Sequence, residues 1–317
     1  MLAFVYAGQG AQHPGEGADF YQEYPLFRET FDQAAEAAAL VTPMDLKQLS
    51  FTGPAEALSE TRVTQPAMAA FSAGVTKLLD EEAIRPEMAL GLSLGEYSAL
   101  YAAGVFDEKT LITLLAKRGR FMEEASEGLA VKMSAVLGTE RSVVEACCRE
   151  AAESTGMVAA AANYNCPGQI VISGELAAVT LAGEKLKAAG AGRIMPLKVS
   201  GPFHTALMAP AGAALEKEFS DVTFRTPEAR VVFNCIGREK TEAETIPELL
   251  VRQVQSPVYL EDSFRYMEAQ GVHKIIEIGP GKTLAKLIRK TCPNIPVVSI
   301  DSTEDFREAL RFAREAS

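Results

Sequence analysis

The chain has 317 residues, 48% of them hydrophobic and 23% charged, with a formal net charge of −11. That length allows one large or two modest domains around a sizeable core, and the acidity argues against nucleic-acid binding. No apolar run is long enough for a membrane span, and residues 2–6 are too short and lack the basic flank of a signal peptide.

Five cysteines, at 147, 148, 166, 235 and 292, form no C-x-x-C pair, so neither a zinc site nor a disulfide framework is indicated. Free thiols and a cytoplasmic setting are expected.

In chain order, residues 2–6 read as a short buried strand that breaks at Gly8-Gln9-Gly10-Ala11-Gln12. Helical patterns follow over 25–39 and 65–82, the second opening at Thr64-Gln65-Pro66, a start signal with proline in the first turn. A strand after Pro86 leads into an alanine-rich helix beyond Gly95, and another helix covers 107–124. From 129 to 199 the rhythm changes: strand 129–137, helix 139–154, strands 157–163 and 169–173, helix 175–189, strand 193–199. This β-α-β-β-α-β order is the ferredoxin-like signature. Helices over 205–219 and 260–270, a strand over 273–278, a helix after Gly279-Pro280-Gly281, a strand over 296–300 and a helix over 304–316 complete the chain. The fold expected is α/β: a large α/β-hydrolase-like domain with a mainly parallel sheet from 1–127 and 200–317, and a ferredoxin-like small domain inserted over 128–199.

Gly91-Leu92-Ser93-Leu94-Gly95, between the Pro86 strand and the alanine-rich helix, has the form of a nucleophile elbow. Glycines two before and two after the serine let strand and helix approach. The hydroxyl then projects at a helix N-terminus, where free N–H groups can stabilise an oxyanion. The competing reading is an ordinary turn serine.

A serine nucleophile needs a base, and the chain has three histidines. His273 opens its strand, which puts it at the far edge from a site built at the carboxyl ends of strands. His13 and His204 both follow strands. His204, in Ser200-Gly201-Pro202-Phe203-His204 ahead of a helix, is the better-held candidate, whereas His13 sits among glycines in a loop. No Asp or Glu stands out between Ser93 and His204 as a third triad member, so a carbonyl oxygen is the alternative support for the imidazole.

These motifs, together with Lys117-Arg118-Gly119-Arg120-Phe121-Met122, the 163–174 run, Gln253-Val254-Gln255-Ser256-Pro257-Val258 and Glu277-Ile278-Gly279-Pro280-Gly281, fall in the order and spacing of malonyl-CoA:acyl carrier protein transacylases. The chain resembles that family from residue 4 to about 290. The resemblance implies malonyl transfer in type II fatty acid synthesis through an ester on Ser93, with His204 moving the protons. It also implies an oxyanion hole from the N–H groups of Gln9 and Leu94, histidine support from the Gln253 carbonyl, and Arg118 on the malonyl carboxylate. Asn163 and Phe203 would line the cleft.

No metal or other cofactor is implied. The partners would be malonyl-CoA and acyl carrier protein, with no nucleic acid or membrane, and the protein is expected to be a monomer. Docking an acidic carrier on an acidic chain calls for local basic groups, and Lys185, Lys187, Arg193, Lys282, Lys286 and Arg289 are candidates. Two positions depart from the pattern: Leu92 stands where many relatives carry histidine, with its side chain expected to point away from the nucleophile's face, and Ala7 stands where proline is common. The alternatives are transfer of another acyl unit such as methylmalonyl, and a serine thioesterase or hydrolase, which would have no need of Arg118.

Overall fold

In the computed structural model, which describes residues 1–315, β1 (Leu2–Tyr6) is the centre of a five-stranded sheet. Its neighbours are β2 (Met88–Gly91) and β9 (Lys274–Ile278), with β7 (Arg230–Val231) and β10 (Val297–Ile300) at the edges, in the order β10-β9-β1-β2-β7. Every pairing is parallel. Both faces are covered, as a parallel sheet requires. Phe4, Tyr6 and Ala89 face the core formed with helices Pro25–Val41 and Thr61–Glu81. Ala3, Val5, Met88 and Leu90 face the opposite core, under helices Leu260–Ala269 and Thr283–Thr291. The register Ala3↔Met88 and Val5↔Leu90 keeps each set on one side.

The second sheet contains β3 (Val131–Leu137), β4 (Ala159–Cys166), β5 (Gln169–Glu175) and β6 (Arg193–Pro196), in the order β6-β3-β5-β4. These four pair antiparallel and pack on helices Arg141–Thr155 and Leu176–Ala188, as the ferredoxin-like pattern predicts. A fifth strand, β8 (Val258–Tyr259), pairs parallel onto β4. It comes from the segment that otherwise builds the parallel sheet.

Several expected boundaries move: the strand expected over 157–163 is Ala159–Cys166, and the one expected over 193–199 ends at Pro196. The helix expected to open at Thr64 starts at Thr61 and carries Pro66 inside it. Proline there forfeits one rung of the helix, and the surrounding Gln65, Pro66, Ala67 and Met68 are buried, so tertiary packing outweighs the break. The helix expected over 205–219 begins as a 3₁₀ turn, Ala206–Met208, and becomes α-helical at Ala209–Phe219, with Pro210 in its first turn. The last helix is Thr303–Arg314; Ala316, which the sequence placed in it, lies outside the described residues. All five cysteines are buried and unpaired. Among the described residues no helix is long and apolar enough to cross a membrane.

Candidate active site

The carboxyl ends of β1, β2 and β9 open onto one cleft of about 770 Å³, lined among others by Gln9, Ser93, Asn163, Phe203, His204 and Leu287. The second sheet supplies the facing wall through Met133, Asn163 and Val171.

Ser93 sits between β2 and helix Gly95–Ala102, with φ at 56°, in the left-handed region that a side chain seldom adopts. The glycines around it make this possible. A Cβ on Gly91 would lie 1.9 Å from the Gly95 carbonyl carbon, and one on Gly95 would lie 2.5 Å from the Tyr6 oxygen. The Ser93 N–H donates to Asn234 Oδ1 at 2.7 Å.

His204, also in the left-handed region at φ 59°, lies in the turn ahead of the 3₁₀ segment. Its Nε2 is 2.8 Å from Ser93 Oγ, and its Nδ1 is 2.9 Å from the carbonyl oxygen of Gln253. An Nδ1–H donating to that carbonyl leaves the Nε2 lone pair for the serine proton. Gln253 is in the last turn of helix Ile246–Val254, where carbonyls have no partner within the helix, so one is free for the imidazole. Burial and the nearby Arg118 charge push the imidazole pKa down to about 4. The resting base is therefore neutral near neutral pH.

Arg118, on helix Glu108–Glu124, is fully buried. Its Nη1 donates to Gln65 Oε1 at 2.9 Å, and its Nη2 donates to Gln253 Oε1 at 3.0 Å and to Ser93 Oγ at 3.1 Å. Burial holds its pKa below the usual guanidinium value. Its basic neighbours on the helix turn outward, Lys117 to Glu218 and Arg120 to Glu124. Gln253 also donates from Nε2 to the Ser93 carbonyl at 2.8 Å, so its side chain links nucleophile, arginine and histidine support.

The remaining expected residues divide. Asn163 and Phe203 line the cleft. Gln9 lines it too, with its side chain on Thr61 Oγ1 at 3.0 Å, while Leu94 is buried beside Ser93. Neither backbone N–H of Gln9 or Leu94 bonds another group among the described residues. His13 pairs with Asp301 at 3.1 Å, and the His273 ring meets the Met1 amino group at the opposite end of the sheet. Leu92 packs its side chain over Gly8, where a Cβ would be 2.7 Å from Leu92 Cγ, and the residue borders the same cleft as Ser93.

Three residues of this network were not picked out from the sequence. Gln65 stands beside the Pro66 start signal, and Glu96, whose Oε2 accepts the Asn234 N–H at 2.6 Å, directly follows the elbow, but Asn234 carries no local signal at all.

The family model described as acyl transferase domain matches residues 3–308. The malonyl CoA-acyl carrier protein transacylase of Escherichia coli strain K12 is 40% identical over 311 residues, which cover 98% of this chain and 99% of the relative. The chain belongs to the malonyl-CoA–acyl carrier protein transacylase family. A transacylase of the family from Xanthomonas oryzae pv. oryzae has a solved structure similar to this one, with a TM-score of 0.92 at 38% identity over 98% of each chain. A malonyl-transacylase solved in complex with a type II polyketide-synthase acyl carrier protein gives a TM-score of 0.92 at 37% identity, over 98% of this chain and 99% of that one.

Proposed function

We propose that the protein moves a malonyl group from malonyl-CoA to the phosphopantetheine thiol of acyl carrier protein, in fatty acid biosynthesis, through an ester on Ser93. The observation that carries this reading is the line Ser93 Oγ, His204 Nε2, Nδ1 and the Gln253 carbonyl, with the Arg118 guanidinium 3.1 Å from the same Oγ.

In the first half-reaction the Ser93 hydroxyl gives its proton to His204 Nε2 as Oγ attacks the thioester carbonyl. The tetrahedral oxyanion is held by the N–H groups of Gln9 and Leu94. Collapse breaks the carbon–sulfur bond, and His204 returns the proton to the departing CoA sulfur. In the second half the carrier thiol gives its proton to His204, its sulfur attacks the ester carbonyl, and Ser93 leaves with the proton. The Gln253 carbonyl takes the place of the acid in a serine–histidine–acid triad: it orients the ring without adding a charge beside it. No bond in this cycle requires a metal or a redox group.

Arg118 offers a planar fork that suits a carboxylate, inside a site where water does not compete. This selects malonyl over acetyl groups. Phe203 at the cleft wall narrows the room for a methylmalonyl branch. Five buried, unpaired thiols fit the cytoplasm.

Docking of the carrier protein falls to helix Thr283–Thr291, which bears Lys286 and Arg289 while its Thr283, Leu284 and Leu287 line the cleft. Lys282 and Lys185 are partly neutralised by Asp305 and Glu150. Lys286, Lys187 and Arg193 make no ion pair among the described residues and carry more of the attraction.

Intact-protein mass after brief exposure to malonyl-CoA, methylmalonyl-CoA or acetyl-CoA tests the reading. A malonyl adduct that requires Ser93 and is discharged by acyl carrier protein is the expected result. A dominant methylmalonyl adduct reassigns the acyl unit. Free CoA accumulating without an adduct makes water the acceptor and the protein a hydrolase.

A further inference from the structure

Asn234 is fully buried, and each of its four polar groups is used. Its side-chain Oδ1 accepts the Ser93 N–H at 2.7 Å and its Nδ2 donates to the Gly91 carbonyl at 2.7 Å. Its own N–H donates to Glu96 Oε2 at 2.6 Å, and its carbonyl accepts the Tyr259 N–H at 2.8 Å. The first three bonds reach the residue two before the nucleophile, the nucleophile itself and the residue three after it. The fourth reaches β8, where Tyr259 pairs with Tyr164 of β4, next to Asn163 on the cleft wall.

A serine held at φ 56° persists only where its surroundings over-determine it. Gly91 and Gly95 permit that conformation by leaving space, but permission is not restraint. Beyond the local turn bond from the Glu96 N–H to the Ser93 carbonyl at 3.1 Å, the directional contacts that restrain it are the two from the Asn234 side chain, together with the Gln253 amide on the same carbonyl. Asn234 also consumes the Ser93 N–H, so that group is not an oxyanion donor and the elbow's contribution falls to Leu94.

We propose that Asn234 is a positioning residue for acyl transfer: it holds Ser93 in its reactive conformation and, through Tyr259, fixes the nucleophile relative to the small-sheet wall of the cleft. Glu96, buried behind it, anchors its backbone. The proposal rests on Ser93 being the nucleophile.

The test pairs two reactions. Acylation by malonyl-CoA needs the whole site. Phosphonylation by a small alkyl fluorophosphonate needs only the nucleophile, its base and the oxyanion donors: Ser93 Oγ bonds phosphorus, fluoride leaves, and the serine proton departs through His204. For Asn234→Ala we expect both rates to fall together by roughly 10- to 100-fold, the loss that small misplacement of a reacting group produces, with the KM for malonyl-CoA within about twofold of wild type.

Asn234→Asp guards against a misfolded alanine variant. It keeps the acceptor for Ser93 but loses the donor to Gly91 until its carboxyl is protonated. Its rate relative to wild type should therefore recover as pH falls, which a merely space-filling residue would not do. A folded Asn234→Ala phosphonylated at the wild-type rate, or an Asn234→Asp ratio flat with pH, overturns the role of Asn234. Failure to label Ser93 in the wild type would instead sink the assignment of the nucleophile, and this inference with it.

Discussion

Replacing Arg118 by glutamine separates its two possible tasks, because the guanidinium bonds both the nucleophile and, on our reading, the substrate carboxylate. In the resting molecule it is fully buried and its three bonds go to neutral partners, Gln65, Gln253 and Ser93. The cost of removing its hydration has therefore been met in folding, and only the arriving carboxylate must still be desolvated. Leaving one member of such a buried pair without its partner costs about 3–5 kcal/mol. At 1.4 kcal/mol per decade, kcat/KM for malonyl-CoA should fall by about 100- to 4,000-fold. Acetyl-CoA has no carboxylate to lose, so its rate should change by less than about tenfold, the scale of one hydrogen bond to Ser93.

The assay is single-turnover acylation with both donors, read as the ratio of the two kcat/KM values in wild type and variant. An equal loss for both donors would mean that Arg118 serves Ser93 and not the carboxylate. An unchanged malonyl rate would mean that the carboxylate is held elsewhere.

Four further predictions follow from the same geometry. His204→Ala should lower acylation by about 10²–10⁴-fold. In wild type the acylation rate should fall as pH drops through about 4, where the buried imidazole takes up a proton and can no longer accept one from Ser93; an inflection near 6.5 would contradict this. Burial also raises the Glu96 carboxyl to about 8. Between about pH 4.5 and 8 the folded chain then holds a proton that the unfolded chain releases, so stability declines across that window and levels off above it. Glu96→Gln should remove a contribution on the order of a few kcal/mol to that decline, while Glu16, raised to about 8 as well, keeps its own share; denaturant titrations at pH 5 and pH 8 with an unchanged slope would refute it. Charge reversal at Lys286 and Arg193 should raise the KM for carrier protein several-fold in a salt-dependent way and spare the CoA half-reaction, and equal loss in both halves would remove these residues from the docking surface.

What the sequence revealed and what it hid follow from how each part is built. The elbow was legible because its geometry demands small residues at fixed spacing within one short run, Gly91 to Gly95. His204 was legible for a similar reason, since Gly201-Pro202 and a following helix hold it locally. The helix Ile246–Val254 went unread even though its start carries a capping box from Thr245 and Glu248 with Pro247 in the first turn. Strands β7 and β8 span two residues each, too few for any periodicity, and they exist because longer neighbours offer them an edge. Asn234 and Gln65 were hidden for a deeper reason. Their partners lie more than 50 positions away along the chain, at Ser93 and Arg118, so only the folded topology brings them together.

The buried cysteines bear on the fidelity of thioester handling. A catalyst that passes an activated acyl group between sulfurs risks passing it to its own. Burial pushes the thiols of Cys148, Cys235 and Cys292 up to about 12 and also raises Cys147 and Cys166, so none presents a nucleophilic thiolate at neutral pH. The acyl load on Ser93 therefore has no internal thiol to leak to. By the same property, maleimide-type probes should mark a carrier's exposed prosthetic thiol ahead of the buried thiols of this chain.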